Sequence, residues 1–198
     1  MVTRIVFTVL TLLIALGLAA YLIFDMYTVL DKENEIKRVE AKVIHKLELI
    51  REAEEGYQKL YGGYTNNWDS LRNFIKNDRF PIVEVKETII TLEYGADSVV
   101  IERDTIDYVN VVDSLYSEAD LKALNLDRIQ YVPNPLTDTV QFALQVESIK
   151  RGNYYVDVIK VADTKPFDRR RTEANERRIR RPLQFGSLTE ISTAGNWE

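Results

Sequence analysis

Three acids in the middle of the chain, Glu102, Asp104 and Asp107, have the residue type and spacing that general acid–base chemistry uses. A carboxyl pair does such work when one member is protonated and the other ionised. That requires a shared cleft and a positioned third group. Here Glu102 with Asp104, and Asp104 with Asp107, lie in a run that reads as strand, so they belong to a solvated face. The chain has no Cys and a single His, His45. Cys–His nucleophiles and Cys-ligated zinc sites are thereby excluded. His45 stands beside an apolar stripe without a second ligand, the setting of a structural histidine. We expect no enzyme activity, no catalytic residue, no cofactor and no metal.

The second chemistry belongs to arginine. Residues 165–181 hold eight Lys or Arg against three Asp or Glu, while the whole chain carries a net charge of −5. Arg169, Arg170, Arg171, Arg177, Arg178, Arg180 and Arg181 form this block, which has little apolar content. It reads either as a solvated linker or short helix, or as a surface that docks onto an acidic partner subunit. Nucleic acid is not the expected partner, because no aromatic residues interleave the arginines. Beyond the block the chain regains Phe185 and Trp197 in a small, polar context. Such a segment suits addition to a groove or sheet edge, or folding back on its own domain.

These residues need an element to position them, and the first twenty-four residues define it. Ile5 to Phe24 contain no charge. In a helix such a run spans ~30 Å, the thickness of a bilayer core. Gly17-Leu18-Ala19 resembles a cleavage site, but Tyr21-Leu22-Ile23-Phe24 carry the apolar run past it. An uncleaved single-pass anchor is therefore expected. Arg4 precedes it, and Lys32, Lys37 and Arg38 follow among five acids, so the positive-inside count is balanced. We expect the N-terminus inside and the domain outside, as in a signal-anchor with a cationic start.

No Pro or Gly follows Phe24 until Gly56. Val29, Ile36, Val43, Ile50 and Tyr57 recur every seven residues, and Val39, Ala53 and Leu60 add a second seam. This is an amphipathic helix, residues 25–61, rising ~55 Å from the membrane. Gly62-Gly63 stop it. The stripe at 43–61 suits packing on the chain's own sheet. The stripe at 25–42, with Val29 and Ile36, suits partner helices in a coiled coil.

The remainder reads as α+β. Thr65, Asn66 or Asn67 caps a short helix whose Trp68, Leu71, Phe74 and Ile75 share a face. Strands follow from Pro81, with a phase change near Thr88-Ile89 that suggests a bulge or bend, and a turn at Gly95-Ala96-Asp97. Ile106–Val112 extends the next strand, and Ser117–Leu121 is a capped helical turn ended by Asn125. Residues 140–147 and 155–161 alternate around Arg151-Gly152-Asn153 as an antiparallel pair. The expected organisation is a cytoplasmic N-terminus (1–4), a transmembrane helix (5–24), an amphipathic stalk helix (25–61), an α+β globular domain (62–164) and an extended basic C-terminal tail (165–198). The stalk is expected to pack on a small antiparallel sheet.

This layout resembles type IV pilins and the pseudopilins of type II secretion. Phe7-Thr8-Val9-Leu10-Thr11-Leu12-Leu13-Ile14 is similar to the start of those proteins. Ala53–Lys59 and Gly63-Tyr64-Thr65 through Trp68-Asp69-Ser70-Leu71 are similar to the end of their long helix and the loop after it. Thr11 stands where they carry a glutamate, and Val6 where they carry the glycine before the processing site. The resemblance therefore implies architecture, and neither processing nor filament formation.

The expected function is a single-pass structural or assembly subunit of a bacterial envelope machine: a secretion, motility or pilus-like apparatus. It would sit in the inner membrane with a periplasmic domain. Its partners would be the membrane, other subunits and further copies of itself. Partner-binding residues would be Val29, Ile36 and Val43 on the stalk and Arg169, Arg170, Arg171, Arg177, Arg178, Arg180, Arg181, Phe185 and Trp197 in the tail. The rival reading is a membrane-anchored extracytoplasmic sensor or ligand-binding module with an apolar pocket near Trp68 or the Tyr-rich strands.

Overall fold

A computed structural model describes residues 2–91, 97–172 and 181–198. The turn expected at Gly95-Ala96 and the arginines Arg177, Arg178 and Arg180 lie outside the described residues. The fold is α+β, with one long N-terminal helix and two small antiparallel sheets.

Helix α1 runs unbroken from Val2 to Tyr61, 60 residues. Uninterrupted helix formers between Phe24 and Gly56 permit this, because nothing removes a backbone hydrogen bond. Gly62 ends it with φ +85° while its N–H donates to Gln58 O at 2.8 Å. That left-handed cap suits glycine, which has no Cβ to clash. The helix changes character along its length. Leu10 to Leu30 is exposed on every side, whereas Val39, Val43, Leu47, Ile50 and Ala53 are buried in one stripe. Spacings of three and four residues put those five side chains on the domain-facing side.

That stripe is covered by several elements. Helix α2 (Trp68–Asn77) contributes Leu71, Phe74 and Ile75. Its N-cap is Asn67, whose Oδ1 accepts the Asp69 N–H at 2.8 Å and the Ser70 N–H at 3.4 Å. Trp68 is half-buried against the core. Helices α3 (Val111–Leu115) and α4 (Glu118–Leu124) also lie on α1. Ser117 and Asp120 form a capping box on α4, and Asn125 closes it in the left-handed region at φ 49°. Two expectations shift here. Val111 and Val112 begin α3 instead of extending the preceding strand, because Val111 drops into the core at the strand's end. The expected single sheet is divided into two.

The first sheet is a two-stranded ribbon, β1 (Arg79–Thr91) with β2 (Asp97–Asn110). Its irregularity lies between Ile82 and Val83, opposite the extra residue Ile106, and not near Thr88-Ile89. The apolar phase change at Thr88-Ile89 needs no bulge, because neither face of the ribbon is packed on the core there. The second sheet is β3 (Phe142–Arg151), β4 (Tyr154–Asp163) and β5 (Gln184–Gly186), in that order. Arg151 pairs with Tyr154 across a Gly152-Asn153 turn. Gly152 takes φ +63°, as a two-residue hairpin requires. β5 falls within 165–198 and is hydrogen-bonded to β4. Gly186 there has φ +76° and lies against Ile159 O, where a Cβ would have no room.

Ile159, Val161 and Phe185 from this sheet, with Leu183 just before β5, join the α1 and α2 side chains in one buried cluster. Each such side chain contributes roughly 1.5–3 kcal/mol of burial.

Candidate interaction surfaces

The basic segment folds back onto α1. Asp168, buried, accepts the Arg170 N–H at 3.0 Å and so caps a 3-10 turn over Arg169–Arg171. The turn aims two guanidinium groups at acids two helical turns apart on α1. Arg170 Nη1 meets Glu33 Oε1 at 2.9 Å, and Arg171 Nη2 meets Glu40 Oε2 at 3.0 Å. Arg171 also donates to Arg181 O at 2.7 Å. The acidic surface expected of a partner is thus present, for Arg170 and Arg171, on the chain's own helix. Arg169 and Arg181 are exposed. The 33/40 spacing in the sequence was the signal for this clasp, since residues seven apart share a helix face.

Phe185 and Trp197 also turn inward. Phe185 is fully buried. Trp197 is half-buried, packs on the core and donates from Nε1 to Glu48 Oε1 at 3.3 Å. Thr193 Oγ1 donates to Glu55 Oε1 at 2.7 Å, so residues 183–198 clasp α1 beyond the arginine turn. Of the stalk residues, Val43 lies in the core, Ile36 is half-buried and Val29 is exposed. Val29 and Ile36 therefore retain exposed surface, while Val43 and Phe185 pack within their own domain.

His45 sits with Nε2 3.4 Å from Asp120 Oδ1 and Nδ1 3.9 Å from Glu48 Oε2. It ties α1 to α4. No group of three His, Asp or Glu side chains able to hold a metal is present among the described residues.

One surface had not been singled out in the sequence: the β1–β2 ribbon. Register and alternation divide it into two faces. Glu84, Asp104, Lys86 and Glu102 share one face, where Lys86 Nζ lies 3.2 Å from Glu84 Oε2. Glu87, Arg103 and Thr105 share the other with five apolar residues, Val83, Val85, Ile89, Val99 and Ile101. All five are exposed, Ile89 at 67%. Among the described residues, the ribbon is held at its base. Phe80 stacks edge-on against Phe74 with centroids 6.0 Å apart and lies over Gly56, where a Cβ would approach its ring to 3.1 Å. Val111 N–H donates to Asp78 O at 3.0 Å, and Tyr61 OH to Asp78 Oδ2 at 2.7 Å. Beyond that base the strands extend for ~30 Å, with both outer edges unpaired among the described residues.

The start of α1 is the second open surface. An 18-residue stretch is apolar enough to cross a membrane, and none of it is buried inside the fold. Two clefts are also present, one beside Lys46 and one beside Phe167. Neither is lined by Trp68 or by the tyrosines of β4.

Fold and surfaces together define an α+β protein with a single described helix long and apolar enough to span a membrane. Set beside protein families, curated proteins and solved structures, the chain matches none.

Proposed function

We propose that this protein is a single-pass, membrane-anchored assembly subunit of a bacterial envelope machine, of the secretion, motility or pilus-like class, with its domain on the periplasmic side of the inner membrane. The observation that carries the reading is the ribbon. A two-stranded sheet whose valines and isoleucines lie uncovered is marginal alone in water. Several exposed valines and isoleucines gathered on one face, among Glu87, Arg103 and Thr105, suit an interaction site with a polar margin. A neighbour that covers Val83, Val85, Ile89, Val99 and Ile101, or pairs with a free edge, satisfies both features.

The apolar start of α1 supports anchorage, and the rigid continuation of α1 holds the ribbon's base away from the bilayer. Residues 25–42, with Val29 and Ile36, offer a second contact for partner helices. The unbroken helix leading to a small sheet resembles the pilin layout, which also belongs to assembly subunits.

Photo-crosslinking in the native cell tests this. A crosslinker placed at Val85 or Ile101 is expected to trap a discrete neighbour, and one placed at Glu190, on the opposite side of the chain order and exposed, is expected to trap less of it. Equal, diffuse labelling from all three positions would contradict the reading. Protease added to spheroplasts is expected to cut the domain, and complete protection would reverse the assigned orientation.

A further inference from the structure

The cleft beside Lys46 gathers charge that the assembly reading does not use. It has a volume of about 370 Å3 and lies between α1, the C-terminal end of α4 and residues 128–138. Lys42, Lys46, Lys122 and Arg128 line it against a single acid, Asp138. This concentration of cations stands in a chain whose net charge is −5.

Lys46 is the centre of the feature. It is buried, and its Nζ donates to Arg128 O and Tyr131 O, each at 2.9 Å. Those two bonds clip α1 to the 128–131 segment. They use carbonyl acceptors, so the ammonium charge itself has no carboxylate among the described residues. Arg128 is partly answered: it donates to Asp138 O at 2.6 Å, lies 4.0 Å from Asp138 Oδ1 and sits 5.0 Å over the Tyr131 ring. Burial and the neighbouring Arg128 bring the Lys46 ammonium down to about 8. Lys42 and Lys122 are exposed and make no ion pair among the described residues.

A structural clip accounts for Lys46 alone. It does not account for three further cations converging on one concave surface, where like charges repel. Val39, Val132 and Pro133 add an apolar wall. A cleft of a few hundred Å3 with an apolar wall and a few convergent polar groups is the form of a small-molecule site.

We infer that this cleft binds a small organic oxyanion, a carboxylate or a phosphate ester, with Lys42, Lys122 and Arg128 contacting the oxyanion, Lys46 supplying charge from the floor, and the Val39–Val132 wall taking the carbon skeleton. Charge-assisted bonds from several cations to one oxyanion provide the affinity. The inference is independent of the assembly reading, since the cleft and the ribbon share no residue.

The test uses the full chain in non-ionic detergent at constant ionic strength, with citrate, glucose 6-phosphate and glucose as probes and Tm as the readout. A ligand that binds only the folded state raises Tm with concentration. Citrate or glucose 6-phosphate is expected to raise Tm to a plateau, and which of them does so separates carboxylate from phosphate recognition. Glucose is expected to leave Tm unchanged. The K42Q/K122Q variant alters two exposed side chains, so its unliganded Tm is expected to match the parent, while the midpoint of the anion response shifts at least about tenfold. A flat response to both anions, an equal response to glucose, or an unshifted midpoint in K42Q/K122Q would overturn the inference.

Discussion

Glu54 is a carboxyl group set inside the apolar core. It is fully buried, its Oε2 accepts the Thr65 N–H at 3.1 Å, and its Oε1 has no partner among the described residues. Burial, opposed by the Thr65 bond, pushes its carboxyl up to about 8 from an ordinary 4.5. The folded state therefore keeps a proton that the unfolded chain releases. The resulting stability is fully present below the unfolded value and declines as pH rises to about 8, after which it is flat. The decline has a limiting slope of about 1.4 kcal/mol per pH unit. Glu54→Gln removes this dependence. Its Tm relative to the parent is expected to rise between pH 5 and pH 8 in thermal melts, and a difference that stays constant across that range would count against the buried acid. Phe185 gives a second test at this scale. It is fully buried in the core cluster, so Phe185→Ala is expected to cost roughly 3–5 kcal/mol in denaturant unfolding. A loss within 0.5 kcal/mol, the range of ordinary surface changes, would mean that β5 is not part of the core.

At the scale of elements, what could be read in advance and what could not divide on physical grounds. The long helix was legible because a charge-free run and a three-to-four spacing are local properties of the chain. The β3–β4 pair was legible from its alternation and its Gly152 turn, and the α4 cap from Ser117 and Asp120 three residues apart. The partition of strands between two sheets was not legible. Alternation shows that a face exists, but coverage of that face depends on distant residues. Hence Val85 and Ile89 read like core strand residues although they are exposed. β5 is only three residues long, too short to carry a period. The arginine turn was seen as charge, while its target on α1 depended on how the chain returns. That return has its own test. Arg171 and Glu40 are both mostly buried at their contact, so a double-mutant cycle of R171Q and E40Q is expected to give a coupling of about 1 kcal/mol. A coupling near zero would show that the clasp contributes nothing to stability. The ribbon behaves oppositely. Because its outer part packs on nothing among the described residues, V85S/I89S/V99S is expected to leave unfolding stability within about 0.5 kcal/mol of the parent. A large loss would place those side chains in a core.

At the scale of the whole molecule, two apolar surfaces lack a counterpart among the described residues: the start of α1 and the valines and isoleucines on one face of the ribbon. Lipid suits the first, since a helix apolar on all sides with no core around it needs an apolar solvent. A protein neighbour suits the second. Of the two courses open to the tail, outward addition or folding back, Phe185, Trp197, Arg170 and Arg171 take the second and secure the domain to α1. The ribbon then joins the stalk as a candidate contact surface, and the class of function proposed stays the same. Native mass spectrometry of the full chain, extracted from its own membranes in mild detergent, tests the central claim most directly when the parent and V85S/I89S/V99S are run side by side. The account predicts that the parent emerges in a species heavier than one chain and that the ribbon variant emerges as a single chain. A lone chain for the parent, or an unchanged assembly for the variant, would contradict it.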